Sequence, residues 1–144
     1  MKHRSDPDPV PLEIAAEKVC FLIIKAREFD VKEEQADPDS GSNATDDEEI
    51  DVLEESADDP VEQELRSLIN DLSVDEQIDL VAICWLGRDE GDVADWTDIR
   101  SQAAEAHNRR TASYLLGDPL LADHLAEGLA TLGYSCEDVD REYL

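Results

Sequence analysis

The sequence predicts an all-α protein: a long N-terminal helix and a compact bundle of four to five short helices, joined by an acidic flexible connector. Three observations predict this class. Apolar residues recur at three- and four-residue steps in both halves of the chain. Capping residues followed by proline indicate helix starts, and glycines indicate helix ends. No Asn-Gly or Gly-Asn hairpin signal and no period-two strand is present in the sequence.

Residues 1–11 predict an extended leader, because prolines alternate with other residues at positions 7, 9 and 11. A helix is expected over residues 12–35. Phe21 and Ile24 widen its apolar arc beyond one face, so it is expected to be buried against the rest of the chain or against a second copy in a homodimer. A short strand through residues 19–24 is the alternative. The apolar stripe consists of Leu12, Ala15, Ala16, Val19, Leu22, Ile23, Ala26 and Phe29.

Residues 36–59 predict the acidic connector. This segment holds 11 Asp and Glu and no Lys or Arg. Turn-forming residues dominate its first half, which is not expected to hold a helix. Its second half has only Ile50, Val52 and Leu53 as large apolar residues, too few for a core, so disorder or a loosely tethered loop is expected.

A helical domain is predicted over residues 60–133. Asp59 and Pro60 place a cap before a proline at a first helical position. Ser73 and Glu76 have the spacing of a capping box. The helix that they open is expected to end at Gly87 in a left-handed conformation.

The rest of this domain predicts three further helical segments. One runs from about Val93 to His107, with Trp96, Ile99, Ala103 and Ala106 facing inward. A short one is capped by Thr111 and ends at Gly117. Asp118 and Pro119 repeat the cap-then-proline start, and Gly133 ends the last helix. Residues 134–144 form a tail in which residues 135–138 could open one more turn.

The charge excludes several functions. Asp and Glu number 38 against 12 Lys and Arg, for a formal net charge of −26. Such a surface repels phosphate backbones and anionic lipid, so direct binding to nucleic acid or membrane is not expected. The acidity alone is also compatible with a solubility or high-salt adaptation that has no specific partner.

Cysteine usage and the apolar runs predict a cytoplasmic protein. The three cysteines have no CxxC spacing, and Cys20 and Cys84 lie inside apolar runs, where buried reduced thiols are expected. The N-terminus has no apolar segment typical of a signal peptide. The longest apolar run, residues 19–24, is far shorter than the roughly 20 residues that span a bilayer.

Two groups of residues are candidate binding sites. His107, Arg109 and Arg110 follow a predicted helix C-terminus, where cations interact favourably with the helix dipole. They could instead hold the chain's own acidic connector, or bind the carboxylate or phosphate of a ligand, and Arg88 belongs to the same set. Trp85 and Trp96 are either core residues or aromatic residues of a partner-binding surface.

The connector contains a partial match to a calcium-binding loop. The EF-hand ligand spacing is matched by Asp37, Asp39, Asn43, Thr45 and Glu48. The turn glycine of that motif is replaced by Ser42, Gly41 supplies no side-chain ligand, and Pro38 is stiff where the loop must curl. These departures favour a solvated linker with weak, nonspecific divalent binding, and no cofactor is expected.

Enzymatic activity is not expected either. The chain has no HExxH, GxSxG, Walker or GxGxxG motif and no paired Cys/His spacing. A Cys84 nucleophile acting with His107 or His124 is conceivable, but a thiol between Ile83 and Trp85 is expected to be inert.

Several segments of the helical domain carry a family resemblance: residues 79–88 (DLVAICWLGR), Trp96, 106–112 (AHNRRTA), 114–117 (YLLG) and 119–121 (PLL). With these residues the chain resembles a family of short acidic proteobacterial proteins catalogued only as a domain of unknown function. The resemblance covers nearly the whole chain, including the leader helix and the start of the connector. It implies a small helical domain in bacterial cytoplasm and no functional residues.

These observations favour a small interaction or regulatory protein that binds another protein through a helical surface. The alternatives are an acidic nucleic-acid mimic that occupies the groove of a basic nucleic-acid-binding protein, and a weakly divalent-cation-responsive protein. Mimicry comes second because the connector holds 11 of the net 26 negative charges, and charge on a flexible segment is a poor rigid mimic.

Overall fold

The computed structural model of the chain describes the backbone of residues 9–42 and 60–136 and the side chains of residues 9–29 and 60–136. No strand occurs within these ranges, which confirms the all-α prediction. The helices are α1 (Ala16–Ser42), α2 (Pro60–Asn70), α3 (Val74–Arg88), α4 (Trp96–Ala106), α5 (Thr111–Leu116) and α6 (Leu121–Thr131), with a 3-10 turn (Val93–Asp95) before α4.

Helix α3 lies at the centre of the bundle. It packs against α4, α5 and α6, while α2 packs against α5. Helix α1 packs in cis onto α2 and α6, which is one of the two arrangements that its apolar arc allows. A homodimer through α1 stays a prediction. The most deeply buried residues of α1 are Val19, Cys20, Leu22, Ile23 and Ala26.

The bounds of α1 differ from the expected 12–35. Residues 11–15 are not helical, because the Asp79 carboxylate on α3 accepts hydrogen bonds from the backbone N–H groups of Glu13 and Ile14. At the other end, α1 continues seven residues into the expected connector, to Ser42. A helix that has already formed gains one hydrogen bond for each residue added, so it can extend through residues of poor propensity. Residues 43–59 of the connector lie outside the described residues.

Asp79 is a buried carboxylate that joins three parts of the fold. Its side chain is 1% exposed and also accepts a hydrogen bond from Arg100 of α4. A buried charge is costly unless it is paired and hydrogen-bonded, and Asp79 has both kinds of partner. It therefore fixes the segment before α1 and the start of α4 to α3.

Local capping signals are confirmed at several helix ends. Pro60 is the first residue of α2, and Ser73 and Glu76 form both hydrogen bonds of a capping box at α3. Gly117 follows α5, and Gly133 follows α6 with a φ of +99°.

The predicted helix start at Asp118 and Pro119 is wrong, because Pro119 is not helical. The Asp118 Oδ1 accepts a hydrogen bond from the N–H of Leu120, and α6 begins at Leu121.

The predicted left-handed stop at Gly87 is wrong. Helix α3 continues to Arg88, and the left-handed residue is Glu90, with a φ of +56°. Gly87 serves a different purpose, because a Cβ on it would lie 1.9 Å from the carbonyl oxygen of His124 on α6. A Cβ on Gly128 would lie 2.1 Å from the carbonyl oxygen of Ile83. The two glycines therefore let the α3 and α6 backbones touch.

The expectation of a reduced Cys20 is wrong as well. Cys20 forms a disulfide with Cys136, 116 residues away, and Cys84 is a free, buried cysteine. The chain after α6 returns to the start of the molecule. The Tyr134 hydroxyl donates to the carbonyl of Val10, which brings residue 136 beside α1.

No described helix is both long enough and apolar enough to span a lipid bilayer.

Candidate functional site

A pocket of about 440 Å³ opens between α3, α4 and α5. None of its ten lining residues is acidic, although the chain has 38 acidic residues. The pocket therefore differs in both charge and polarity from the surface around it. The lining residues are Val81, Trp85, Ala103, Ala106, His107, Asn108, Arg110, Thr111, Ser113 and Tyr114.

Trp85 and Tyr114 form the aromatic wall of this pocket. The indole Nε1–H of Trp85 donates a 2.7 Å hydrogen bond to the Tyr114 hydroxyl, and the two rings meet edge to face at 88°. Tyr114 is 50% exposed, so a large aromatic side chain lies open to a ligand. Such rings supply a large contact area at small conformational cost.

Arg88 also contacts the Trp85 ring. Its guanidinium carbon lies 5.8 Å from the ring centroid, within cation–π range. It also donates two hydrogen bonds to the Asp89 carboxylate, of 2.9 and 3.1 Å. These bonds lower the pKa of Asp89 and keep it ionised. Arg88 therefore positions Trp85 while its own charge is already compensated.

The turn between α4 and α5 presents a cationic edge. The Asn108 side-chain oxygen accepts from the Arg110 N–H at 2.7 Å, and the Asn108 carbonyl accepts from the Thr111 hydroxyl at 3.0 Å. His107 caps α4, and its Nε2 lies 2.7 Å from the side-chain oxygen of Gln77. This fixed turn directly follows the α4 C-terminus, where the helix dipole favours cations.

Arg109 and Arg110 have no salt bridge within the described side chains. The other six described Lys and Arg residues each pair with a carboxylate: Lys18, Lys25, Arg27, Arg66, Arg88 and Arg100. Both arginines are exposed. Their positive charge is thus available to an anionic group.

The structure brings most of the sequence-selected residues together. Trp85, His107 and Arg110 line one pocket, Arg88 contacts the Trp85 ring, and Arg109 lies beside Arg110 on the turn. Trp96, in contrast, is only 8% exposed and belongs to the core.

Two pocket residues were placed wrongly or overlooked from the sequence. Ala106, expected to face inward, is exposed and lines the pocket, because the short α4 ends there and turns away. Tyr114 falls within the short helix predicted between Thr111 and Gly117, and the sequence does not single it out as a site residue. Its place in the pocket depends on how α5 packs beside α3, which no local signal in the sequence indicates.

The calcium prediction lies mostly outside the described residues. Asn43, Thr45 and Glu48 are not described, and the side chains of Asp37 and Asp39 are not described either. The backbone at Asp37 and Asp39 is helical as part of α1, which differs from the loop that an EF-hand ligand set requires.

A second group of reactive side chains lies where α3 meets α6. The Cys84 Sγ is 3.5 Å from Asp118 Oδ2, and the His124 Nδ1 is 2.7 Å from the same oxygen. Burial and the nearby Asp118 carboxylate raise the pKa of the Cys84 thiol to about 12. The thiol is therefore protonated at neutral pH, because both burial and the negative charge of Asp118 disfavour the thiolate.

Asp118 remains ionised in this cluster. Burial opposes its ionisation, but the hydrogen bonds from His124 and from the Leu120 N–H outweigh burial, and the pKa of Asp118 is lowered. From the sequence only a capping role is expected for Asp118, because its partners Cys84 and His124 are 34 and 6 residues away.

A protein-family model described as "Protein of unknown function (DUF3775)" matches residues 62–134. The match covers α2 to α6 but not α1. It includes the pocket and the group formed by Cys84, Asp118 and His124. Searches of curated proteins and of solved structures found no match.

Proposed function

The chain belongs to the DUF3775 family, and from this premise we propose that it is a small interaction protein that binds another protein through the pocket beside Trp85. The bound segment would pack an apolar side chain against the wall formed by Trp85 and Tyr114 and place a neighbouring carboxylate on Arg109 and Arg110. The observation that carries the proposal is that Arg110, which lines a pocket without acidic lining residues, and its neighbour Arg109 have no salt bridge among the described side chains.

The strongly negative net charge makes it unusual that Arg109 and Arg110 have no carboxylate partner among the described side chains. In a chain with net charge −26, carboxylates are available to nearly every cation, and six of the eight described Lys and Arg have one. An Arg guanidinium binds carboxylate through two parallel hydrogen bonds, which gives directional as well as electrostatic recognition. The long-range repulsion between this chain and an acidic partner limits the partner to a local carboxylate rather than an acidic surface.

The pocket's residue types match those that dominate binding energy in protein interfaces. Trp, Tyr and Arg are enriched among such residues, especially where neighbouring contacts exclude water. A volume of about 440 Å³ suits one or two side chains of a partner. Trp85 is prepositioned by Tyr114 and Arg88, so binding requires little ordering of this wall.

Nucleic-acid mimicry is the second candidate. Carboxylates cluster on the turn between α3 and α4 and in the first turns of α4, which is a rigid part of the fold. Carboxylates held on helices and their connecting turn favour mimicry. The cluster consists of Asp89, Glu90, Asp92, Asp95 and Asp98.

We also propose a cytoplasmic location, as expected from the sequence. The Cys20–Cys136 disulfide weighs against it, because the cytoplasm keeps most thiols reduced. Trapping thiols in intact cells with an alkylating reagent would show which redox state the protein has there. A fully oxidised pool in cells would contradict the cytoplasmic location.

The test is an affinity capture from the native host with matched baits. The binding variant is Arg109→Ala/Arg110→Ala. The control is Arg27→Ala, which also removes an exposed arginine, because Arg27 lies on α1 and pairs with Asp123, outside the pocket. Light scattering and circular dichroism check that each bait stays folded and keeps its oligomeric state.

A stoichiometric partner that Arg27→Ala retains and the double variant loses would support the proposal. A partner retained by the double variant and displaced by free DNA would support mimicry instead. Loss of the partner in all variants alike, or no partner at all, would contradict binding through this pocket.

A further inference from the structure

Three chemically different ligand atoms converge at the contact between α3 and α6. They belong to Cys84 on α3, to Asp118 in the turn before α6, and to His124 on α6, and all lie within 4.8 Å of one another. We propose that this group, the Cys84 cluster, binds a transition-metal ion of the zinc class through three protein ligands. The fourth position is left to solvent or to an added ligand. This inference is independent of the protein-binding pocket.

Two of the three spacings between the ligand atoms are close to those of tetrahedral coordination, and the third pair, Cys84 Sγ and His124 Nδ1, lies within 4.8 Å. Bond lengths of about 2.3 Å to sulfur and about 2.0 Å to nitrogen or oxygen give tetrahedral edges of about 3.5 Å for S···O and about 3.3 Å for N···O. The Cys84 Sγ is 3.5 Å from Asp118 Oδ2. The His124 Nδ1 is 2.7 Å from that oxygen because the two now share a hydrogen bond. Coordination thus requires them to separate by about half an ångström, which side-chain torsions can supply.

The scaffold holds these ligands in place. Gly87 and Gly128 let the two helices approach until their backbones touch, which fixes Cys84 and His124 on facing surfaces. Asp118 Oδ1 is held by the Leu120 N–H at 2.9 Å, so its Oδ2 remains directed at the cluster. A backbone group that orients a ligating carboxylate in this way is a recurrent feature of metal sites.

The cluster is also accessible from one side. The Cys84 residue is only 2% exposed, but the side chains of His124 and Asp118 are 17% and 21% exposed. A metal ion can therefore enter past the imidazole and the carboxylate, and the open side provides the fourth coordination position. A site closed by four protein ligands would be structural, whereas three ligands and an open position are typical of exchangeable or catalytic ions.

Binding requires balanced proton transfer. The thiol of Cys84 gives its proton to solvent as the metal–sulfur bond forms, and the carboxylate Oδ2 of Asp118 exchanges two hydrogen bonds for one metal bond. His124 coordinates through a neutral Nδ1 with its remaining proton on Nε2. Each metal ion bound thus releases a proton from Cys84, and one more if the imidazole is initially charged.

The donor set selects a class of ion. A thiolate and an imidazole favour zinc, cobalt, nickel or copper over calcium and magnesium, which require oxygen ligands. The many surface carboxylates will take up hard divalent ions weakly. An excess of magnesium therefore occupies those carboxylates without competing at the Cys84 cluster.

The test uses untagged, full-length protein with its disulfide intact, titrated with cobalt(II) in excess magnesium. Cys84 is then the free thiol, so a thiolate-to-cobalt charge-transfer band reports this cluster alone. One equivalent should produce the band and the visible absorption of a tetrahedral ion, and one equivalent of zinc should abolish both. Cys84→Ser should remove the charge-transfer band, and His124→Gln should weaken binding by at least about tenfold.

Asp123→Asn is the matched control, because Asp123 neighbours His124 but is exposed and pairs with Arg27. It should bind cobalt as the wild type does. Circular dichroism confirms that each variant is folded, and the partly exposed His124 offers a readout if Cys84→Ser does not fold. Absence of the band in the wild type would overturn the proposal, and so would binding that is unchanged in both Cys84→Ser and His124→Gln.

Discussion

The close contact between α3 and α6 is expected to tolerate no side chain at Gly128. In Gly128→Ala, the new Cβ would lie 2.1 Å from the Ile83 carbonyl oxygen, whereas ordinary contacts begin at 3.4 Å. The shortfall is 1.3 Å, the difference between those two distances. The opposing atom is backbone within the buried helix α3, so it cannot rotate away, and the two helices must separate.

The expected cost follows from two opposing effects. Overpacking a well-packed core costs about 1–3 kcal/mol and sometimes more, and a backbone clash belongs at the upper end. Replacing a helical glycine by alanine returns about 1 kcal/mol of helix propensity. We therefore expect the free energy of unfolding to fall by at least about 2 kcal/mol.

Urea unfolding of the disulfide-bonded protein measures this change. With a urea dependence of about 2 kcal/mol per molar, the midpoint should fall by about 1 M. Gly117→Ala is the matched control, because its Cβ would meet nothing closer than 3.4 Å. It should be neutral or stabilising by up to about 1 kcal/mol. Equal stability of Gly128→Ala and the wild type would refute the backbone contact, and equal destabilisation of both variants would show that the loss is not specific to it.

Further substitutions test other parts of the fold by the same unfolding measurement. Asp79→Ala should cost about 3 kcal/mol, because it leaves buried N–H groups and Arg100 without their acceptor; a cost under 1 kcal/mol would contradict its joining role. Ser73→Ala should cost about 1 kcal/mol through loss of the capping box. Glu90→Gly should stabilise by about 1 kcal/mol, since Glu90 has a left-handed backbone. Reducing the disulfide, or Cys136→Ser, should cost about 2–4 kcal/mol, because the bond closes a loop of more than 100 residues; unchanged stability would argue against this bond.

Helix ends with local chemistry could be predicted from the sequence. The capping box at Ser73, the proline at the start of α2 and the glycine after α6 each act within one turn of chain. Gly87 shows the limit of such signals. A glycine permits either a left-handed residue or a close helix contact, and only the position of α6 decides between them.

Features that join distant segments could not be predicted. The disulfide partners are separated by 116 residues, and the sequence does not indicate that the tail returns to α1. The role of Asp79 also depends on residues from two other segments, and one acid among 38 carries no individual signal. The turn-forming composition after residue 35 predicts an earlier end of α1 than the structure has. Helix propagation carries α1 on to Ser42.

The candidate site was predictable in its parts but not in its arrangement. Trp85, His107 and Arg110 could be selected by residue type, since Trp and Arg dominate interfaces and a cationic run after a helix is conspicuous in an acidic chain. Their meeting in one pocket depends on how α4 and α5 pack beside α3. Tyr114 and Ala106 could not be placed there from periodicity, because short helices expose faces that a longer helix would bury.

Site-specific photo-crosslinking tests the proposed binding pocket most directly. A photoreactive phenylalanine derivative replaces Ala106, an exposed helical residue that lines the pocket, and in the control it replaces Ala130, an exposed helical residue outside the lining. We expect a partner protein to crosslink from position 106 and not from position 130, and Arg109→Ala/Arg110→Ala to abolish the product. Crosslinking of equal yield from both positions, or a product at 106 that is insensitive to the arginine pair, would contradict the proposal that this pocket binds the partner.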